Sequence, residues 1–213
     1  MRNDYFFQLH TTAEQIDYAK LLVEHSLLHH KIPNIWDGTN REKETVELRF
    51  TGTLGEVVFA DAYQLARPLR SFGAEDGQDY GKDFELKINQ QVRRFDLKTM
   101  RRKNNQFYQN YVLNIPASQL LRNTSQTDDY FHISLHPYQT VFVASFVGYA
   151  PKKAILNGEI GQIYEAGAWR IRNNGTKFQF LAATYEIPLW QLHSPPITPF
   201  IAQQEGFALK HIQ

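Results

Sequence analysis

Residues 83–99 read Asp-Phe-Glu-Leu-Lys-Ile-Asn-Gln-Gln-Val-Arg-Arg-Phe-Asp-Leu-Lys-Thr. Apolar side chains alternate with charged ones from Phe84 to Ile88, and again from Phe95 to Thr99. Alternation with a period of two is typical of a strand that buries one face. Asn89-Gln90-Gln91, between the two runs, favours a hairpin connection. The stretch therefore predicts two paired strands with one apolar face and one charged face.

The charged face of this hairpin carries the chemistry. Residues two apart in a strand lie on the same face, about 6 to 7 Å apart, so Asp96 and Lys98 project together. If the first strand pairs with the second, Asp83 lies beside Asp96. Two neighbouring carboxylates repel each other unless a cation lies between them. Hard oxygen ligands favour Mg²⁺, which keeps several waters and accepts phosphate oxygens.

Such a metal and a lysine suit the hydrolysis of a phosphodiester. A bound metal ion polarises the phosphoryl group and lowers the pKa of a water molecule. Lys98 would orient that water or help to deprotonate it, and would offset charge in the transition state. A lysine suits this role because its ammonium group is a compact charge on a flexible stem.

Gly81-Lys82-Asp83-Phe84 followed by Phe95-Asp96-Leu97-Lys98-Thr99 resembles the PD-(D/E)XK nuclease superfamily. That family has an Asp on one strand and a D/E-x-K motif on the next, after a helix that often bears a Glu. Glu56, in Gly55-Glu56-Val57-Val58, falls where that Glu would be. Lys82 replaces the proline of the family name. Phe142–Tyr149 and the following 150–153 resemble a later strand of bacterial members.

The resemblance implies a restriction-endonuclease-like core and a metal-dependent endonuclease acting on double-stranded DNA, most simply of the type II restriction kind. It implies Mg²⁺ as cofactor, with Mn²⁺ as a substitute, and products with 5′-phosphate and 3′-hydroxyl ends. Cutting both strands implies a homodimer or sequential nicking. The implied catalytic residues are Asp83, Asp96, Lys98 and Glu56, and the implied metal ligands are Asp83, Asp96 and Glu56.

Two alternatives remain open from the residues. In a second register, Glu85-Leu86-Lys87 is the E-x-K motif and Asp76 or Asp79 the first acid, but this leaves Asp96 without a role. The same scaffold also serves nucleases of repair, recombination or phage defence, and non-catalytic DNA-binding proteins, because a fold does not dictate function.

A cluster of basic residues surrounds the second strand. Such a cluster attracts the phosphate backbone of nucleic acid and positions it. The asparagines that follow are suited to contacts with phosphates or base edges. Family members often have a polar residue near Gln119 that supports the site. The predicted DNA-binding residues are Arg93, Arg94, Arg101, Arg102, Lys103, Asn104 and Asn105.

The pattern along the chain predicts an α/β (or α+β) fold with a mixed central sheet flanked by helices. Helices are predicted at 12–30, capped by Thr11 or Thr12, and at about 53–65. Further strands are predicted at 111–115, 130–135 and 141–147, a helical turn at 117–121, and a hairpin at 169–181. We expect a single nuclease domain, with an N-terminal helical segment at 1–50, a catalytic core at 51–150 and C-terminal strands at 151–213.

Composition narrows the function classes. The chain has 213 residues, 42% of them hydrophobic, with a formal net charge of +1. It has no cysteine, which excludes disulfides, thiolate metal sites and a cysteine nucleophile. No apolar run is long enough to span a bilayer, and the N-terminal segment lacks the apolar h-region of a signal peptide. We therefore expect an intracellular, cytoplasmic protein of a bacterial cell, with no membrane contact.

Overall fold

The computed structural model describes residues 4–29, 42–69, 83–104, 106–108, 110–171 and 175–212. Its helices and strands are, in chain order, β1 Tyr5–His10, α1 Ala13–His29, α2 Glu42–Ala62, β2 Phe84–Ile88, β3 Gln91–Arg101, β4 Val112–Pro116, α3 Ala117–Leu120, β5 Asp129–Tyr138, β6 Val141–Pro151, α4 Lys152–Leu156, β7 Gln162–Tyr164, β8 Trp169–Ile171, β9 Lys177–Gln179, β10 Thr184–Pro188, α5 Pro199–Ala202 and β11 Ala208–His211.

The main sheet has six strands in the order β11-β1-β6-β5-β3-β2. The β3–β5 pair is parallel and the other pairs are antiparallel. The sheet is therefore mixed, which confirms the predicted mixed α/β architecture. A smaller sheet has the order β4-β10-β7, and β8 pairs with β9 as predicted for that hairpin. The strand at Tyr5–His10 lies in a segment for which only helix was predicted.

The hairpin of β2 and β3 forms as the sequence predicts. Phe84 pairs with Phe95, and Ile88 pairs with Gln91. The connection is a two-residue turn at Asn89 and Gln90, which have φ angles of 49° and 67°. Two successive positive φ values are typical of the type I′ turn, whose twist matches that of paired strands. β2 begins opposite Phe95, so on that side β3 beyond Phe95 has no strand neighbour among the described residues.

Helices α1 and α2 pack together on one face of the main sheet. The N-terminus of α1 is capped by Thr12, whose hydroxyl accepts from Gln15 N at 3.1 Å, while Gln15 Oε1 accepts from Thr12 N at 2.9 Å. This reciprocal pair is a capping box. None of the helices in the described ranges is long and apolar enough to cross a membrane.

Helix α2 begins at Glu42, well before the predicted start near Thr53. Its first turns are polar and lack an apolar stripe, although Glu, Lys, Leu and Arg favour helix by intrinsic propensity. The helix ends before the predicted Leu65. Gln64 has a φ of 56°, and Leu65 N donates to Ala60 O at 2.8 Å, which closes the end.

Two apolar cores lie on opposite faces of the main sheet. The first joins α1 and α2 to alternate residues of the strands, including Phe59, Phe95 and Phe131. The second joins the other face to the smaller sheet through Tyr130, Ile115 and other buried residues. The period-two alternation of β3 and β5 divides their side chains between these cores. Asp96 and Lys98 belong to the face that carries the second core.

Candidate active site

Asp83 lies immediately before the first residue of β2, and Asp96 lies on β3 next to the register partner of that residue. The paired register of β2 and β3 begins with Phe84 and Phe95, and Asp83 and Asp96 are the adjacent residues in the two chain segments. Asp83 N donates to Phe95 O at 2.7 Å, and Asp83 Oδ2 accepts from Leu97 N at 2.6 Å. The Asp83 side chain thus accepts a hydrogen bond from an N–H group of β3 that lies beyond the part paired with β2. Backbone groups that lack a ladder partner need such an acceptor, and this contact fixes the Asp83 carboxylate beside β3.

Lys98 forms an ion pair with Asp96, the residue two positions before it on β3. The side chains of Lys98 and Asp96 are only 20% and 14% exposed, so water screens their attraction less than at an open surface. Lys98 Nζ also lies 5.7 Å from the centre of the Tyr130 ring. Burial, together with the charge of Asp96, raises the pKa of Tyr130 above its ordinary value.

The approach of α2 to β3 depends on Gly55. A Cβ atom at Gly55 would lie 1.8 Å from Thr99 Oγ1 and 2.7 Å from Thr99 Cβ. Real Cβ atoms do not come so close, so only glycine allows this packing of helix on strand. Glu56 follows Gly55 directly and is half-buried. The predicted acid of the helix is therefore on the turn of α2 that packs against the first-core face of β3, whereas Asp96 and Lys98 are on the other face.

The donor chemistry of this site suits Mg²⁺. Within the described ranges, no group of three or more His, Asp or Glu side chains is close enough to hold a metal ion. Mg²⁺, however, is usually bound by one or two carboxylates, with substrate phosphates and waters completing its coordination. Asp83, which contacts Leu97 N, and Asp96, the residue before Leu97, supply two hard oxygen donors that fit that pattern. The described structure does not bring Glu56 into one group with these two aspartates, so its role as a third ligand stays a prediction.

A cleft of about 1130 Å³ begins at Lys98. One wall is the segment Glu47–Gly52 of α2, and the floor is the stretch from Leu97 to Lys103 of β3 and the residues after it. The opposite wall comes from β4, α3 and residues 178–184. The cleft therefore lies along the part of β3 that β2 does not cover, and it leads directly from the lysine of the candidate site.

The predicted basic cluster is divided by the strand alternation. Arg93 pairs with Asp129, Arg94 with Asp128, and Arg101 with Glu47. These carboxylates reduce the positive charge that three of the predicted DNA-binding residues offer. Arg102 and Lys103 line the cleft, as does Arg101 with its partner Glu47. The cluster is therefore not one continuous patch, because successive residues of β3 point to opposite faces of the sheet.

The other predicted polar residues have different surroundings. Asn104 is exposed, and its Nδ2 donates to Tyr108 Oη at 3.3 Å. Asn105 lies outside the described residues. Gln119 lines the cleft together with Lys98. Gln119 is therefore a residue of the cleft and not a direct partner of the two aspartates.

The competing register is only partly within the described structure. Glu85 and Lys87 are exposed on β2, the edge strand of the sheet. Asp76 and Asp79, its candidate first acids, lie outside the described residues, as do Gly81 and Lys82 of the family motif. The described part of the chain thus brings together the Asp83, Asp96 and Lys98 set.

Sequence reasoning missed three residues around the site. Tyr130 stands beside Asp96 because β3 and β5 pair in parallel with Asp96 opposite Tyr130. Tyr111 and Asn114 reach the cleft region from β4 and the residue before it. Only the long-range strand pairing identifies them, and no local pattern gives that register.

Comparison of the chain with protein-family models, with curated proteins and with solved structures found no match.

Proposed function

We propose that the chain is a Mg²⁺-dependent endonuclease that hydrolyses DNA phosphodiester bonds, of the type II restriction kind, on a PD-(D/E)XK, restriction-endonuclease-like core. The observation that carries the proposal is that Asp83 contacts β3 at Leu97, next to Asp96, and that Asp96 is paired with Lys98, which lines the cleft. Two neighbouring carboxylates and a lysine that lines a cleft suit phosphoryl chemistry.

The chain's own residues have separate tasks in this mechanism. Bound Mg²⁺ would supply Lewis acidity to the phosphoryl group and a more acidic water. Asp83 and Asp96 would hold the cation, and the hydrogen bond from Leu97 N keeps Asp83 in place. Lys98 orients the attacking water and offsets the charge that develops on phosphorus-bound oxygens. The water oxygen bonds to phosphorus and the P–O3′ bond breaks, leaving a 5′-phosphate and a 3′-hydroxyl.

The ion pair between Lys98 and Asp96 prepares the lysine for this task. In the free protein it holds the ammonium group over the Tyr130 ring rather than in bulk water. A group that is already oriented loses little entropy when the substrate binds. One such site cuts one strand, so cleavage of double-stranded DNA by this enzyme calls for a homodimer or two successive nicks.

The test is the cleavage of supercoiled plasmid with Mg²⁺, with Mn²⁺ and with EDTA, by the wild type and by Asp96→Asn and Lys98→Ala. We expect cleavage with either metal and none with EDTA. Removing one group that acts in the transition state should slow cleavage by about 10²–10³-fold. Circular dichroism of each variant checks that the fold persists.

The products separate the forms of the proposal. Discrete fragments support a restriction-type enzyme, whereas nicking or smearing with the same metal dependence supports a nuclease of repair, recombination or phage defence. Absence of cleavage, with DNA binding equal in the wild type and both variants, contradicts catalysis and leaves a DNA-binding protein.

A further inference from the structure

Arg102 differs from its arginine neighbours on β3 because neutral groups hold it. Its Nε donates to Ser134 Oγ at 3.0 Å, and its Nη2 lies 3.1 Å from His132 Nε2. Its Cζ atom is stacked 3.9 Å from the centre of the Tyr111 ring. Among the residues that the structure describes, no carboxylate pairs with it.

The surroundings of Arg102 leave its positive charge without compensation. Burial lowers its pKa to about 10, so the guanidinium still carries its charge at neutral pH. His132, which is fully buried, has a pKa well below its ordinary value because of burial, and it is therefore neutral. A buried charge with only neutral partners is costly for a folded protein. An anionic ligand in the cleft would relieve that cost.

Two amide side chains in the same cleft are also incompletely satisfied. Asn114 Oδ1 and Gln119 Oε1 are buried and have no hydrogen-bond partner within the described ranges. Both residues line the cleft with Arg102 and Lys98. Buried polar atoms in native proteins normally have a partner, so each exception calls for an explanation. The edge of a nucleobase would supply donors and acceptors to these amides.

The remaining lining is largely apolar. It includes Met100, Leu113, Phe178 and Phe180. The volume of about 1130 Å³ is above the roughly 300–1,000 Å³ of typical small-ligand sites. A paired base hides its faces in the stack and its edge in the base pair. An unpaired nucleotide instead presents apolar faces, a hydrogen-bonding edge and a phosphate, which correspond to the three kinds of group in this cleft.

We propose that the cleft beside Lys98 binds an unpaired nucleotide of the substrate, with its phosphate on Arg102 and its base against the apolar lining and the amides of Asn114 and Gln119. This inference rests on the proposed function for the identity of the polymer. It specifies the substrate further: the enzyme engages a single-stranded segment, or a nucleotide extruded from the duplex, next to the bond that it cuts.

The first experiment measures binding in EDTA, where no cleavage occurs. Fluorescence anisotropy of a labelled 15-nucleotide single strand, and of the same sequence as a duplex, gives the two affinities. We expect the wild type to bind the single strand as well as the duplex. Arg102→Gln should weaken single-strand binding about tenfold, since it removes a charged hydrogen bond. Lys210→Gln removes one exposed positive charge on β11, at the far edge of the sheet, and should leave the affinity within about twofold.

A second variant separates binding from folding. Gln119→Leu removes a buried oxygen that has no partner in the described structure, so the thermal midpoint should stay level or rise. Its affinity for the single strand should nevertheless fall several-fold. Asn114→Leu should behave in the same way. If Arg102→Gln does not fold, the single-strand affinities of these two variants test the nucleotide site.

The outcomes distinguish this inference from the nuclease proposal. Single-strand binding that Gln119→Leu and Arg102→Gln weaken supports the nucleotide site, even if no metal produces cleavage. Metal-dependent cleavage that needs Asp96, combined with unchanged single-strand affinity in these variants, overturns the nucleotide site and keeps the nuclease. A wild type that does not bind the single strand also overturns it.

Discussion

Replacing Gly55 by alanine tests how α2 is held against the strand that carries Asp96 and Lys98. In an open helix position, alanine is favoured over glycine by about 1 kcal/mol. At Gly55 the added methyl would lie 1.8 Å from Thr99 Oγ1, 2.7 Å from its Cβ and 2.8 Å from its Cγ2. Rotating the Thr99 side chain moves Oγ1 and Cγ2 but not Cβ, so the helix and the strand must separate.

The magnitude follows from two opposing terms. Overpacking of a core contact costs about 1–3 kcal/mol, and the short distance to Cβ puts this contact at the upper end. Subtracting the gain in helix propensity leaves a net loss of about 2 kcal/mol. For a chain of this size, that loss lowers the thermal midpoint by about 4–8 °C. Urea unfolding followed by circular dichroism measures the change directly.

Gly52 on the same helix provides the matched control. A Cβ atom there would have no neighbour within 4 Å. Gly52→Ala should therefore stabilise the protein by about 1 kcal/mol. The two substitutions are chemically identical and should have opposite signs. If Gly55→Ala stabilises the protein as much as Gly52→Ala does, the reasoning about close helix packing is wrong.

The double variant Gly55→Ala/Thr99→Ala identifies the contact responsible. Removing Thr99 Oγ1 and Cγ2 relieves two of the three short contacts, and the Cβ contact remains. The double variant should therefore be less destabilised than the sum of the two single variants. Because Glu56 follows Gly55, the Gly55→Ala variant should also cleave DNA more slowly at temperatures where it stays folded. Strict additivity of the two substitutions would show that Thr99 is not the obstacle.

Two further predictions concern stability. Burial raises the pKa of Asp129 to about 7, above its unfolded value of about 3.9, so the protein loses stability as pH rises from about 4 to 7 and this carboxyl ionises. In urea unfolding, the Asp129→Asn variant should therefore be more stable relative to the wild type at pH 8 than it is at pH 5. A difference between the two proteins that does not change with pH would contradict this. Thr12→Ala removes the cap that accepts from Gln15 N and should cost about 1 kcal/mol in urea unfolding, whereas unchanged stability would show that the cap is dispensable.

The local parts of this fold could be predicted from sequence. The alternation in β2 and β3 predicted the hairpin. Thr12, one of the two predicted caps, does cap α1, in a reciprocal pair with Gln15. The early start of α2 was missed because its first turns have no apolar stripe. The strand Tyr5–His10 was missed because its pairing partners, β6 and β11, are far away in the chain.

Only the part of the site that comes from one continuous stretch of the sequence could be predicted. Asp83, Asp96 and Lys98 come from one hairpin, and their relative placement follows from a local turn. The partners of the arginines do not follow from a local turn. Arg94 meets Asp128, and Arg93 meets Asp129, only because β5 pairs in parallel with β3. The alternation itself, however, could have indicated that neighbouring basic residues would face opposite sides of the sheet.

The most direct test of the central claim compares two carboxylates of the same hairpin. Single-turnover cleavage of an end-labelled oligonucleotide with Mg²⁺ gives the rate constants for Asp96→Asn and Glu85→Gln, with the wild type alongside. If Asp96 holds the cation and orients Lys98, Asp96→Asn should lose about 10² or more in rate, and Glu85→Gln, on the exposed face of β2, should cleave like the wild type. Full activity in Asp96→Asn, with activity lost in Glu85→Gln, would contradict the assignment of the site to Asp83, Asp96 and Lys98.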